Sequence, residues 1–182
     1  MAKIVVFLTN GTEEVEALTV VDLARRAGIE TDTVTITDDK TITGSHGIPV
    51  ILDKTFEQVN WDGVDMIVLP GGMPGTLNLK ACKKLTDKVQ EFFNKGKAVA
   101  AVCAAPSIPG SIGILKGRKA TCFPGFEDEL LGAEYVDSPV VVDGNVITSK
   151  GLGTTIAFSG AIIEYLIGKD ASESVLKKIQ YK

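Results

Sequence analysis

The chain has 182 residues, 45% hydrophobic and 23% charged, with 19 glycines; that is the size of one domain, and such a length can bury well over half of its unfolded surface. The composition is that of a globular protein rich in tight turns and excludes a low-complexity chain. A net charge of −4 argues against a general affinity for nucleic acid, whose phosphates call for a basic face.

Met1-Ala2-Lys3 runs straight into Ile4-Val5-Val6-Phe7-Leu8, an apolar run too short to span a membrane and lacking a small-residue cleavage site. It reads as a first buried strand, and no membrane partner is expected. Asn10-Gly11-Thr12 is a turn cluster, after which Ala17, Val20, Val21 and Ala24 recur at helical spacing. Gly28, just past Arg25-Arg26, is a helix stop. The paired cations here and at Lys177-Lys178 read as solvated helix faces. Residues 29–36 form a second strand, and Ile42 with residues 48–52 flanks Gly44-Ser45-His46-Gly47 as a hairpin. His46, the only histidine, is then a solvated turn residue.

Met66-Ile67-Val68-Leu69 is a buried strand ending in Pro70-Gly71-Gly72. Leu85, Val89, Phe92 and Phe93 mark an amphipathic helix that Gly96 closes, and residues 98–102 form the next buried strand. A Gly/Pro-rich stretch follows, then a short helix near residues 127–131. Residues 140–142 and 146–149 form two strands turned at Asp143-Gly144-Asn145. Phe158, Ala161, Ile162, Tyr165 and Leu166 define the last long core-facing helix.

Continuous apolar strands interleaved with helices imply one α/β domain over residues 1–182, with a mostly parallel sheet covered on both faces. Such sheets place function at the carboxyl ends of their strands. Three places qualify: the loop after the first strand, the Pro70-Gly71-Gly72 turn, and the segment after Val102.

Cys82, Cys103 and Cys122 cannot all pair with one another, and no two have metal-ligand spacing. Reduced thiols in a cytoplasmic protein are expected, with no metal site. Ala101-Val102-Cys103-Ala104-Ala105-Pro106 puts one cysteine between a buried strand and a helix, with small neighbours that let a sharp turn expose the side chain. A sulfur at a helix N-terminus faces free N–H groups and is favoured as a thiolate. The same residue could instead be an inert core cysteine.

Four segments together resemble the DJ-1/ThiJ/PfpI superfamily: Gly11-Thr12-Glu13-Glu14-Val15-Glu16, Leu69-Pro70-Gly71-Gly72, the Cys103 elbow, and Thr148-Ser149-Lys150-Gly151-Leu152-Gly153-Thr154. The resemblance covers the whole chain and implies a flavodoxin-like fold. It makes Glu16 the partner of Cys103, a protonated acid donating to the sulfur, with the backbone N–H groups of Gly72 and Ala104 lining an anion pocket. It also implies a homodimer and a cofactor-free activity on small reactive carbonyls or glycated proteins, of the glyoxalase III or deglycase type. The alternative it implies is a redox-responsive, chaperone-like stress protein that senses oxidation of Cys103.

Departures from the pattern matter. Phe123, in Thr121-Cys122-Phe123-Pro124, stands where some relatives carry a proton-transferring histidine. No histidine follows residue 46, so a Cys-His peptidase or glutaminase is disfavoured for want of a general acid. Pro109-Gly110 interrupts the helix after the elbow. His46, Arg26, Cys122 and Phe123 are assigned to the site's periphery. Cys122 is either a resolving thiol or a buried small hydrophobe, and Glu13 and Glu14 are expected as exposed first-turn carboxylates.

Overall fold

The computed structural model describes residues 1–181. Its strands are β1 (Lys3–Leu8), β2 (Glu30–Thr35), β3 (Thr41–Thr43), β4 (Pro49–Ile51), β5 (Lys54–Thr55), β6 (Met66–Leu69), β7 (Ala98–Val102), β8 (Lys119–Ala120), β9 (Glu134–Tyr135), β10 (Val140–Asp143) and β11 (Val146–Ser149). Its helices are α1 (Glu14–Arg26), α2 (Gly75–Ala81), α3 (Lys83–Asn94), α4 (Ser107–Ser111), α5 (Thr155–Ile167) and α6 (Lys169–Lys178). The main sheet has the order β10-β11-β7-β6-β1-β2-β5, and all its pairings are parallel except β10 with β11. The flavodoxin-like α/β architecture expected from the sequence is the one observed.

The apolar runs explain the centre of this sheet. Every residue of β1, β6 and β7 is buried, so both faces of each strand are covered. Because side chains alternate, Ile4, Val6 and Leu8 join Val20, Phe158 and Ile162 in a core under α1, α5 and α6. Val5 and Phe7 face the other way, with Leu79, Leu85, Val89, Phe92 and Ile108 of α2, α3 and α4.

Three local outcomes differ from expectation. α2 has just seven residues, with Leu77 exposed and Leu79 buried, too little pattern for periodicity to register. The helix expected from Phe158 to Leu166 is α5, and a further helix not read from the sequence, α6, follows it beyond Gly168, whose φ of 93° cannot continue a helix. The short helix near 127–131 is a single 3₁₀ turn at Glu127–Glu129.

The β3–β4 hairpin pairs outside the main sheet and is fastened to the start of α1. Glu14 does the fastening: it is 2% exposed, not the exposed carboxylate expected. Its Oε1 accepts the backbone N–H groups of His46 at 2.9 Å and Ile48 at 3.3 Å. A Cβ at Gly44 would fall 2.2 Å from the Glu14 side chain, so the hairpin can lie on this carboxylate only with glycine there. Burial alone would raise the Glu14 pKa, but the amides of Glu14, His46 and Ile48 outweigh it and hold the carboxyl down at about 2.

A folded-state pKa below the ordinary 4.5 means stabilisation that is complete above that value and lost as pH falls toward about 2. Glu14→Gln should therefore cost about 1.5–3 kcal/mol at neutral pH, the range for hydrogen bonds to a charged group. Urea unfolding across this acidic window should show the wild type weakening toward the variant; parallel curves would exclude a role for the Glu14 charge.

Candidate functional site

β1, β6 and β7 lie side by side and deliver three loops to one edge of the sheet. From β7 the chain turns sharply at Cys103, whose φ is 65°. A left-handed conformation costs a non-glycine residue about 1–2 kcal/mol, so the surroundings must hold it. They do so by fixing both its backbone groups: the Cys103 N–H donates to the Ser149 carbonyl at 3.0 Å, and its own carbonyl accepts the Phe123 N–H at 2.9 Å. The strained turn expected from the small residues around Cys103 is present.

Glu16, in the first turn of α1, meets the sulfur from below. It is 1% exposed, and its Oε2 accepts the Gly71 N–H at 2.9 Å. Burial is the largest influence and pushes its pKa up to about 7, while hydrogen bonds from Cys103 and the Gly71 amide oppose it. A Cβ at Gly71 would lie 2.6 Å from the Cys103 Cβ and 2.7 Å from Glu16 Oε2, so the two side chains can meet only beneath a glycine. Gly72 has a φ of 93°, and a Cβ there would lie 2.2 Å from the Glu13 amide nitrogen. Both glycines are therefore required by geometry.

The electrostatics of the sulfur correct the sequence expectation. α4 begins only at Ser107 and spans five residues, so Cys103 is not at the N-terminus of a substantial helix. Burial, followed by the Glu16 charge and hydrogen bond, pushes the Cys103 thiol up to about 12, while the amides of Ala104 and Gly72 pull the other way. The two groups share a site that tolerates one negative charge and resists a second. They titrate as a unit, the first proton leaving near neutrality.

The structure sorts the remaining residues. Phe123 stands at the rim, half-exposed, with its ring against Gly151: a Cβ at Gly151 would lie 3.2 Å from the ring and 3.8 Å from Glu16 Oε1. Cys122 is fully buried in the α3–α4 core, where burial and then the Glu127 charge push its thiol up to about 11. That is the environment of a small hydrophobe. Arg26 is not brought to the site. It sits at the far end of α1, about 15 Å along the helix axis from Glu16, and pairs with Asp22 at 2.6 Å.

His46 is exposed and reaches the rim only through carboxylates, its Nδ1 lying 3.2 Å from Glu13 and 3.4 Å from Glu14. Among the described residues, Glu13, Glu14 and His46 form the one group whose potential metal-ligand atoms all lie within 4.8 Å of one another. Ser45 Oγ, 3.0 Å from both Glu13 Oε2 and His46 Nδ1, already links them as part of the hairpin fastening. The role of Gly71 as the roof over Glu16 and Cys103 was not read from the sequence, although the glycine pair at a strand end was visible there.

The profile of the DJ-1/PfpI family matches residues 2–165. The chain belongs to the DJ-1/PfpI family. Protein DJ-1 homolog B of Arabidopsis thaliana is 37% identical over 175 residues, which cover 95% of this chain but 40% of that protein. The chain thus spans less than half of that plant relative, and 44% of a second one, DJ-1 homolog A. Deglycase PH1704 of Pyrococcus horikoshii is 40% identical over 150 residues, 80% of this chain and 89% of the relative. Among solved structures, oxidized DJ-1 of Toxoplasma gondii superposes with a TM-score of 0.95 at 31% identity, covering 100% of this chain and 99% of that one.

Raising a carboxyl from 4.5 to about 7 means that, between these values, the folded DJ-1/PfpI domain binds protons the unfolded chain has released. Stability contributed by neutral Glu16 is then present at low pH and declines as pH rises through that window. In Glu16→Gln this decline should vanish, measured by urea unfolding from pH 4.5 to 7. The Cys103 thiol should also titrate below about 12 once the neighbouring charge is gone. An unchanged thiol titration would separate the two groups.

Proposed function

We propose that Cys103 and Glu16 act together on small reactive carbonyls, or on the early adducts these form with proteins, as a cofactor-free glyoxalase or deglycase. The observation that carries this is the contact between a buried carboxyl titrating near 7 and a thiol at a strained elbow. A general base works best with a pKa near the operating pH. Ionised Glu16 would take the Cys103 S–H proton as the sulfur bonds to the aldehyde carbon, and the carbonyl electron pair would become an oxyanion. The Gly72 and Ala104 amides, which already favour negative charge at this place, would hold that oxyanion. Glu16 would then return the proton to it, leaving a hemithioacetal. A high thiol pKa is no obstacle when deprotonation and attack are coupled.

The name deglycase borne by the relative from Pyrococcus horikoshii supports this reading. Methylglyoxal consumption, followed by loss of the dicarbonyl, should disappear in Cys103→Ser and fall at least about 100-fold in Glu16→Gln, the usual weight of a general base. Undiminished turnover by Cys103→Ser would refute the proposal. Rates should climb through pH 7 as Glu16 ionises.

A second reading, a redox-responsive stress protein with chaperone-like action, has its own support in the relative from Toxoplasma gondii described as oxidized. Of the three free cysteines, Cys103 alone sits beside an acid and two amides able to bind oxygens added to sulfur. Mild peroxide should add oxygen to Cys103 before Cys82 or Cys122, as read by intact mass and peptide mapping. Equal oxidation of all three would count against it. Free thiols also suit the reducing cytoplasm as the protein's location, and among the described residues no helix is long and apolar enough to cross a membrane.

The proposed assembly is a homodimer. Val15, Leu18 and Ile48 are exposed together on α1 and the hairpin, beside Ile156, around a groove next to Glu14. Leu18→Glu should shift the protein from dimer to monomer in sedimentation; an unchanged mass would place any dimer contact elsewhere.

A further inference from the structure

Phe123 and Leu152 are 47% and 50% exposed, and both line one open cavity of about 330 Å³ with Pro124, Gly151 and Thr154. Single exposed apolar side chains are ordinary, but adjacent ones facing a shared cavity mark a contact surface. Two features join this cavity to the reactive pair. The Phe123 N–H is bonded to the Cys103 carbonyl, and a Cβ at Gly151 would lie within 3.2 Å of the Phe123 ring and 3.8 Å of Glu16 Oε1, so ring and acid flank the same backbone position. The wall next to the acid is therefore aromatic.

The cavity's chemistry also tells against a charged occupant. Lys150, the cation lining it, is engaged by the Asp137 carboxylate. Gly153 leaves its outer side open, since a Cβ there would meet nothing within 4 Å. An uncharged apolar group on the carbon next to the reacting aldehyde could lie between Phe123 and Leu152 while the aldehyde sits over Cys103.

We infer that Phe123 and Leu152 form a subsite that selects 2-oxoaldehydes and related carbonyls bearing an aryl or bulky apolar substituent over those bearing a methyl group. The inference rests on the carbonyl activity proposed above and narrows its substrate class. Phenylglyoxal and methylglyoxal differ only in that substituent, and their hydration and rearrangement products are mandelate and lactate.

The wild type should show a kcat/KM for phenylglyoxal at least about tenfold above that for methylglyoxal, a difference of about 1.4 kcal/mol. Phe123→Ala should bring the ratio near one, and Phe123→Leu, which keeps an apolar wall, should retain most of it. An equal ratio in the wild type and Phe123→Ala would overturn the subsite. Titration of the protein with mandelate and with lactate, followed by amide chemical shifts at Phe123 and Leu152, reads the same preference without turnover. If neither aldehyde is consumed, the enzymatic proposal fails, and mandelate binding at least tenfold tighter than lactate keeps the subsite. Equal binding of the two acids rejects it.

Discussion

A carboxyl and a thiol pressed together out of water can carry one negative charge between them but not two. In this protein the rest of the site is arranged around that constraint. Glu16 is buried, so its charged form is costly; Cys103 is next to it, so a second charge is costlier still. Gly71 provides the necessary closeness by having no side chain, and its amide gives Glu16 Oε2 a fixed partner. Gly72 and Ala104 add amide donors to the sulfur. The consequence is an acid and a thiol whose first proton leaves near neutral pH, the property on which both proposed activities would draw.

The sheet makes this possible without long-range reach. Glu16 follows β1, Gly71 follows β6 and Cys103 follows β7, and these strands are neighbours in the sheet. Parallel pairing fixes their carboxyl ends at one edge, and burial of every residue in the three strands leaves little freedom for register to slip. The hairpin adds a flank, held by the Glu14 carboxylate. Chemistry and architecture therefore use two carboxylates two residues apart in opposite ways: Glu14 is kept ionised by amides, and Glu16 is raised by burial to a pKa of about 7.

Much of this was legible in the residues. Continuous apolar runs identified the buried strands because burial on both faces removes alternation, and small residues flanking Cys103 identified the turn because a crowded backbone admits nothing larger. What could not be read was anything set by packing between distant segments. The burial of Glu14 depends on Gly44, thirty residues later, lying against it. The high thiol pKa of Cys103 depends on the solvent excluded around the sulfur and on the Glu16 charge that the fold brings beside it. Arg26 looked placeable near the site only by analogy; ten further positions along α1 carry it to the opposite end of the domain. α6 went unread because it buries only Ser172 and Val175, too little apolar pattern for periodicity to register.

The roof over the pair has a further implication for biogenesis. Its three components are separated by tens of residues and come together only when three strands have aligned, so a chain still emerging or partly melted holds an ordinary acid and an ordinary thiol. The coupling of acid and thiol is thus conferred by completion of the sheet. An unfinished molecule would titrate its acid and its thiol independently, so their shared proton behaviour would mark the molecules that had reached their final form.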